Sequence, residues 1–238
     1  RFVGASAAHT TYTGAHAGRR KVVIAGGGEL THHTTHATVG TSRCQYPSVM
    51  NVNASPRVSF QGALGAFSEL AIRQHWPDDS VTPVPCDTFT QALDLVLTHE
   101  ADFAVIPIEN AIAGRVVSAP QALESAGDRV QQDGEIRVPI HLCLLAPFGA
   151  SLAELRAVRS HPVALAQCRL FFAKHNWLIS EPHPDTAGAA RDVALLGDRT
   201  VGAVAGAAAA ERYGLDIMAR SIEDVPANWT RFVIVSER

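Results

Sequence analysis

Ser160-His161-Pro162 is a short stretch from which a chain can build an anion site. Proline suits the first position of a helix, so Ser160 and His161 stand at a helix N-terminus, where unpaired amides and the positive dipole end accept a carboxylate. A simple cap by Ser160 or His161 would use the same amides without any ligand. Asp185-Thr186-Ala187 opens a second helix, with Asp185 as N-cap and the amides near Thr186 and Ala187 turned outward. Ser68 stands at the start of a third helix. Glu109 and Asn110 follow the apolar run Phe103-Ala-Val-Ile-Pro-Ile108 and so stand at the carboxyl edge of a strand, where α/β proteins hold ligands. An ordinary turn also favours Asn in that place. Arg231 carries a planar fork suited to a carboxylate, but strand alternation sends Thr230 and Arg231 to opposite faces. That alternation favours an orienting or structural role for Arg231. Phe232 reads as a packing residue or a ring wall.

The elements that must position these groups alternate along the chain. Strands are predicted at 57–61, 81–85, 103–108, near 140–145, 157–159, 201–204 and 231–235. Helices are predicted at 65–76, from an Asp87 N-cap to 99, at 162–175, 186–196 and 206–213. Leu64, Phe67, Ala71 and Ile72 share one face of the first helix. The order indicates an α/β domain with largely parallel sheets.

The 238 residues suffice for one large domain or two small lobes around a cleft. Hydrophobic residues at 47% and charged residues at 18% fit a soluble globular protein. A net charge of −3 and the lack of a polybasic stretch argue against nucleic acid and anionic membranes as partners. The apolar runs are too short to span a bilayer. Cys44, Cys86, Cys143 and Cys168 form no CxxC pair and read as reduced thiols in a cytoplasmic setting.

Residues 1–56 have a different texture. They hold one acidic residue, Glu29, and are rich in Ala, Thr, Gly and His. Such a low-complexity leader cannot bury enough apolar surface to offset ordering entropy, so disorder is expected. A transit peptide is the alternative reading of its acidic-poor composition. His32, His33 and His36 have helical i, i+4 spacing for a metal, but no carboxylate accompanies them, so no metal site is assigned. Gly26-Gly-Gly28 lacks the later glycine and acidic partner of a nucleotide loop.

Four segments, in order, carry a family resemblance. They are Val58-Ser-Phe-Gln-Gly-Ala-Leu-Gly-Ala-Phe-Ser-Glu69; Val105-Ile-Pro-Ile-Glu-Asn-Ala-Ile-Ala-Gly114; Ser160-His-Pro-Val-Ala-Leu-Ala-Gln-Cys168 with Asp185-Thr-Ala-Gly-Ala-Ala190; and Tyr213-Gly-Leu, Ile222-Glu-Asp224 and Asn228-Trp-Thr-Arg-Phe232. From residue 57 onward the chain resembles the prephenate dehydratase family. The resemblance implies two α/β lobes similar to type II periplasmic binding proteins, with the active site in the interlobe cleft. Lobe 1 would comprise about 57–132 plus 215–238, and lobe 2 about 133–214.

The implied reaction converts prephenate to phenylpyruvate, water and carbon dioxide, in phenylalanine biosynthesis and without a cofactor. Thr230 would assist hydroxide departure. Asn110, Glu109 and Gln167 would be its catalytic neighbours, with Asn110 donating to a substrate oxygen. Ser68, Ser160, His161, Thr186, Ala187, Arg231 and Phe232 would bind substrate. Glu109 suits a dianion poorly if ionised, so it would orient neighbours or be protonated by burial. The family also suggests a homodimer. Many members add a C-terminal phenylalanine-binding regulatory domain of the ACT type, for which this sequence leaves no room, so feedback control is expected to be absent.

Departures from the family pattern are Ala63 for Pro, Ala66 for Thr, Ala111 for Ser, Ala113 for a polar residue and Val163 for Gln. They keep two other readings open: arogenate dehydratase, and a catalytically silent binding protein of the same two-lobed fold. Cys168 lacks a partner to lower its pKa and reads as a small core residue.

Overall fold

The computed structural model describes residues 55–77 and 80–238. The leader up to residue 54, with the readings placed on Gly26, His32, His33, His36 and Cys44, lies outside these residues.

Two sheets form two lobes. The first contains β1 (Arg57–Gln61), β2 (Thr82–Cys86), β3 (Phe103–Asn110), β5 (Val130–Pro139) and β11 (Trp229–Glu237) in the order β2-β1-β3-β11-β5, with the short β4 (Gly114–Arg115) paired to β3. Helices α1 (Phe67–His75), α2 (Phe89–Leu97) and α3 (Ser118–Ala126) pack on it. The second contains β6 (Cys143–Pro147), β7 (Ala157–Ser160), β8 (Ile179–Pro182), β9 (Val201–Ala205) and β10 (Leu215–Ala219) in the order β10-β6-β9-β7-β8. Its helices are α4 (Pro162–Ala166), α5 (Arg169–Lys174), α6 (Thr186–Leu196) and α7 (Ala207–Tyr213).

Period-2 apolar runs and 3.6-residue stripes account for these elements. Val58 and Phe60 of β1 are fully buried, as are Ala71 and Ile72 of α1. Burying a Val, Ile or Phe side chain contributes about 1.5–3 kcal/mol. One apolar cluster runs from Phe60 and Ile72 through Leu145 to Ala190 and Val193, so the lobes share packed surface. Gly65 makes this approach tight: its φ is +88°, and an added Cβ would stand 2.9 Å from Ala209 Cα. A side chain there is excluded by both conformation and space.

Four expectations are corrected. Both sheets are mixed, not largely parallel: β11 runs antiparallel to β3 and β5, and β6 antiparallel to β9 and β10. A strand that leaves one lobe for the other and a strand that returns must run in opposite directions, and they pair: β5 with β11, and β6 with β10. The lobe limits move accordingly. β5 keeps the first sheet until residue 139, and β10 gives 215–219 to the second, so the crossings are 140–142 and 220–228. The helix expected at 162–175 breaks at Gln167 and Cys168 into α4 and α5. The N-cap of α2 is Thr88, whose hydroxyl accepts from the Gln91 amide, in place of Asp87.

Candidate active site

A cavity of about 800 Å³ lies between the lobes. Its wall is largely apolar: Phe67, Phe89, Ile140, Leu142, Val163 and Phe232. Its polar part begins at the end of β3. The backbone amides of Ile112 and Ala113 donate to Asn110 Oδ1 at 3.1 and 2.8 Å, which fixes the orientation of that side chain. Asn110 Nδ2 therefore faces the other way, 3.0 Å from Thr230 Oγ1, 3.0 Å from the Trp229 carbonyl and 3.0 Å from Asn228 Oδ1. Asn228 Nδ2 donates to Gln167 Oε1 at 3.0 Å, and Gln167 Nε2 returns a bond to Asn110 Oδ1 at 3.2 Å. Three amides thus close a ring in which each donates once and accepts once. Because Thr230 Oγ1 accepts from Asn110, its own proton is left to donate.

Register explains this meeting. Thr230 of β11 lies opposite Asn110 of β3, and Arg231 lies opposite Glu109. Alternation puts the first pair on the cleft face and the second on the other. Thr230, only 9% exposed, and Phe232 line the cleft, while Arg231 turns away. Its guanidinium stands 2.9 Å from Glu109 Oε2 and 3.1 Å from Glu135 Oε1. Arg231, ahead of Gln132, holds the Glu135 carboxyl below the usual range.

Helix starts supply further donors. Phe67 and Ser68 at the start of α1 line the cleft, as do Phe89 and Thr90 of α2, Val117 and Ser118 of α3, and Thr186 of α6. The N-caps of α1 and α3, Ala66 and Val117, make no side-chain bond to the first turn, which leaves those amides to a ligand. At α4, His161 is the cap: Nδ1 accepts from the Val163 amide at 3.3 Å. That bond requires the neutral tautomer with its proton on Nε2. Burial pushes the ring below its ordinary pKa, against an opposing pull from Asp185. Among the described residues lining the cleft, Arg115 is the one arginine or lysine, and Asp87 and Asp185 are carboxylates.

Seven of the expected site residues therefore meet in one cleft: Thr230, Asn110, Gln167, Ser68, His161, Thr186 and Phe232. Four do not. Glu109 and Arg231 pair on the far face of the sheet, so neither reaches the cleft, and the catalytic reading of Glu109 and the substrate-binding reading of Arg231 give way to an ion pair. Ser160 is fully buried, and its hydroxyl donates to the Val204 carbonyl at 2.6 Å, tying β7 to β9. Ala187 is also fully buried, in the core behind the start of α6. Asn110 changes role, since its amide is taken up by protein partners and organises Thr230 rather than donating freely to a ligand. Sequence reasoning missed Asn228 as a partner in the amide ring, and Arg115 and Asp185 as residues lining the cleft. Asn228 had a signal, because a spacing of two from Thr230 points to the same side of an extended chain. Cys168 is fully buried, and burial, then Asp224 and Glu223, pushes its thiol up to about 12.

Comparison with known proteins gives consistent matches. The family model for prephenate dehydratase matches residues 58–238. Arogenate dehydratase 1 of Petunia hybrida is 41% identical over 181 residues, 76% of this chain and 42% of that protein. A bifunctional N-acyl-homoserine lactone acylase/prephenate dehydratase of Komagataeibacter europaeus is 40% identical over 187 residues, 79% of this chain and 65% of that protein. The structure of prephenate dehydratase from Arthrobacter aurescens, in complex with L-Phe, superposes with a TM-score of 0.69 at 32% identity, covering 76% of this chain and 60% of that one. The chain thus spans less than two thirds of the length of these relatives.

Proposed function

This chain belongs to the prephenate dehydratase family, and from that premise we propose that it dehydrates and decarboxylates prephenate to phenylpyruvate. The observation that carries the reading is the Thr230 hydroxyl, held by Asn110 from its acceptor side and buried in a cleft lined by helix starts. In the reaction the bond between ring and carboxylate breaks and its electrons enter the ring. The ring carbon–oxygen bond opposite then breaks, and the departing hydroxide takes a proton to leave as water. Thr230 donates its hydrogen bond to that oxygen. Such positioned donation contributes about 10²–10⁴-fold in rate. A threonine is a weak acid, so the bond stabilises developing charge while solvent supplies the net proton. The open amides at the start of α1 and α3, with Arg115, meet the two substrate carboxylates.

A second substrate is favoured by a separate observation. Arogenate carries an ammonium where prephenate has its side-chain keto group. Asp87 and Asp185 line the same cleft and would attract that cation. The deciding assay follows phenylpyruvate from prephenate and phenylalanine from arogenate in parallel. Turnover of either supports the dehydratase; turnover of neither leaves a silent binding protein of the same fold.

A further inference from the structure

We propose that Asn228 is a positioning residue that makes the orientation of Thr230 depend on contact between the lobes. The inference rests on the dehydratase reading for its kinetic consequences and on the amide ring for its geometry. Asn228 is 3% exposed and lies in the second crossing, just before β11. The two crossings are bonded to each other. Ile140 donates its amide to the Asn228 carbonyl at 3.0 Å, and Ile222 donates to the Leu142 carbonyl at 2.9 Å. The Leu142 amide donates to Glu223 Oε2 at 2.8 Å. Asn228 is therefore fixed in place by its backbone, and its side chain is spent on two partners from different lobes.

Those partners are Asn110 at the end of β3 in the first lobe and Gln167 at the end of α4 in the second. The sense of the ring is set by the Ile112 and Ala113 amides, which hold Asn110 Oδ1. Given that orientation, Asn228 must accept from Asn110 and donate to Gln167. An aspartate at 228 could still accept from Asn110, but its second oxygen would face Gln167 Oε1. Rotating Gln167 would only move the conflict, bringing its oxygen against Asn110 Oδ1. While that carboxylate is ionised, no arrangement of the three groups avoids an oxygen–oxygen contact, so the tie between the lobes is lost. Asn110 Oδ1 then keeps its two backbone donors but loses the donor from the second lobe, which helps hold the amide that fixes Thr230 Oγ1.

The test compares Asn228→Asp and Asn228→Ala with the unmodified chain, each alone and in a Thr230→Ala background. Alone, each lowers kcat about 100-fold with KM changed less than about threefold, the pattern of a group that acts on the transition state and not on binding. In the Thr230→Ala background the further loss is less than about twofold, because groups acting through one another are not additive. Multiplication of the two losses overturns the proposal, since Asn228 would then act independently of Thr230. Melting temperatures identify a variant that fails to fold. The ring also has a readout that needs no turnover: the Asn110 side-chain amide hydrogens, followed by NMR. They exchange with solvent slowly in the unmodified chain and at least about tenfold faster in Asn228→Asp. Equal rates overturn the ring. If the unmodified chain turns over neither substrate, the dehydratase reading falls, and amide exchange alone decides whether Asn228 holds the lobes together.

Discussion

Thr230 presents a hydroxyl whose acceptor side is already occupied by Asn110, so its remaining hydrogen is directed rather than free to rotate among partners. Thr230→Ala should lower kcat by about 10²–10⁴-fold, the usual contribution of a positioned donor, while Thr230→Ser keeps most of the rate. Steady-state kinetics with prephenate and arogenate check this, and an unchanged kcat in the alanine variant would remove Thr230 from the chemistry. Cys168 gives the opposite case, a reactive group type in an inert setting. Its thiol is fully buried and pushed up to about 12, so it carries almost no thiolate at neutral pH. Thiol titration of the folded chain should leave Cys168 unlabelled until denaturant is added. Rapid labelling under native conditions would show that the segment between α4 and α5 opens.

Elements decide which residues face the cleft. In β11, alternation separates Thr230 from Arg231, and the arginine joins Glu109 and Glu135 on the outer face. α4 ends after five residues, which turns the Gln167 side chain across the cleft toward Asn110 and Asn228. At its other end His161 caps the helix as a neutral ring. Its pKa is lowered in the folded state, mainly by burial, so the folded chain binds its proton less readily than the unfolded chain. The stabilisation is complete above the ordinary value of 6.5 and is lost as pH falls through the lower folded value. Thermal melts between neutral and mildly acidic pH should therefore fall more steeply for the unmodified chain than for His161→Asn, which keeps a cap but cannot titrate. Parallel pH curves would mean that His161 is not the titrating group.

On the scale of the whole molecule, the two lobes that border the cleft are joined by two crossings of the chain, 140–142 and 220–228, that bond to each other. A ligand in this cleft touches α1 and α3 on one side and α4 and α6 on the other, contacts that the unfolded chain does not offer. Phenylpyruvate at about 100 times its Kd should raise unfolding free energy by about 2.7 kcal/mol, as linkage requires. Denaturant titration with and without the ligand measures it. A midpoint that does not move would show that the acid does not bind the folded chain in preference to the unfolded one.

Much of this was legible in the chain itself. The strand at 57–61 and the helix at 186–196 fall where periodicity and the Asp185 cap put them, because each is set by local pattern. The opposite facing of Thr230 and Arg231 followed from the pleat alone. The motifs also identified the family. What the sequence left open depended on contacts distant along the chain. The strands β5 and β10 cross the expected lobe limits because each leaves its lobe paired with the strand that enters the same lobe at the other crossing, β11 and β6, and a pairing partner about 70 to 100 residues away leaves no local signature. Ser160 reads as an anion ligand until the Val204 carbonyl, 44 residues on, accepts its hydrogen bond. The amide ring joins Asn110, Gln167 and Asn228 across separations of 57, 61 and 118 residues. Local chemistry determined which side chains were available, and only the packing of two lobes decided which of them face one another, because a hydrogen bond needs its partners within about 3 Å and the sequence specifies no such distance.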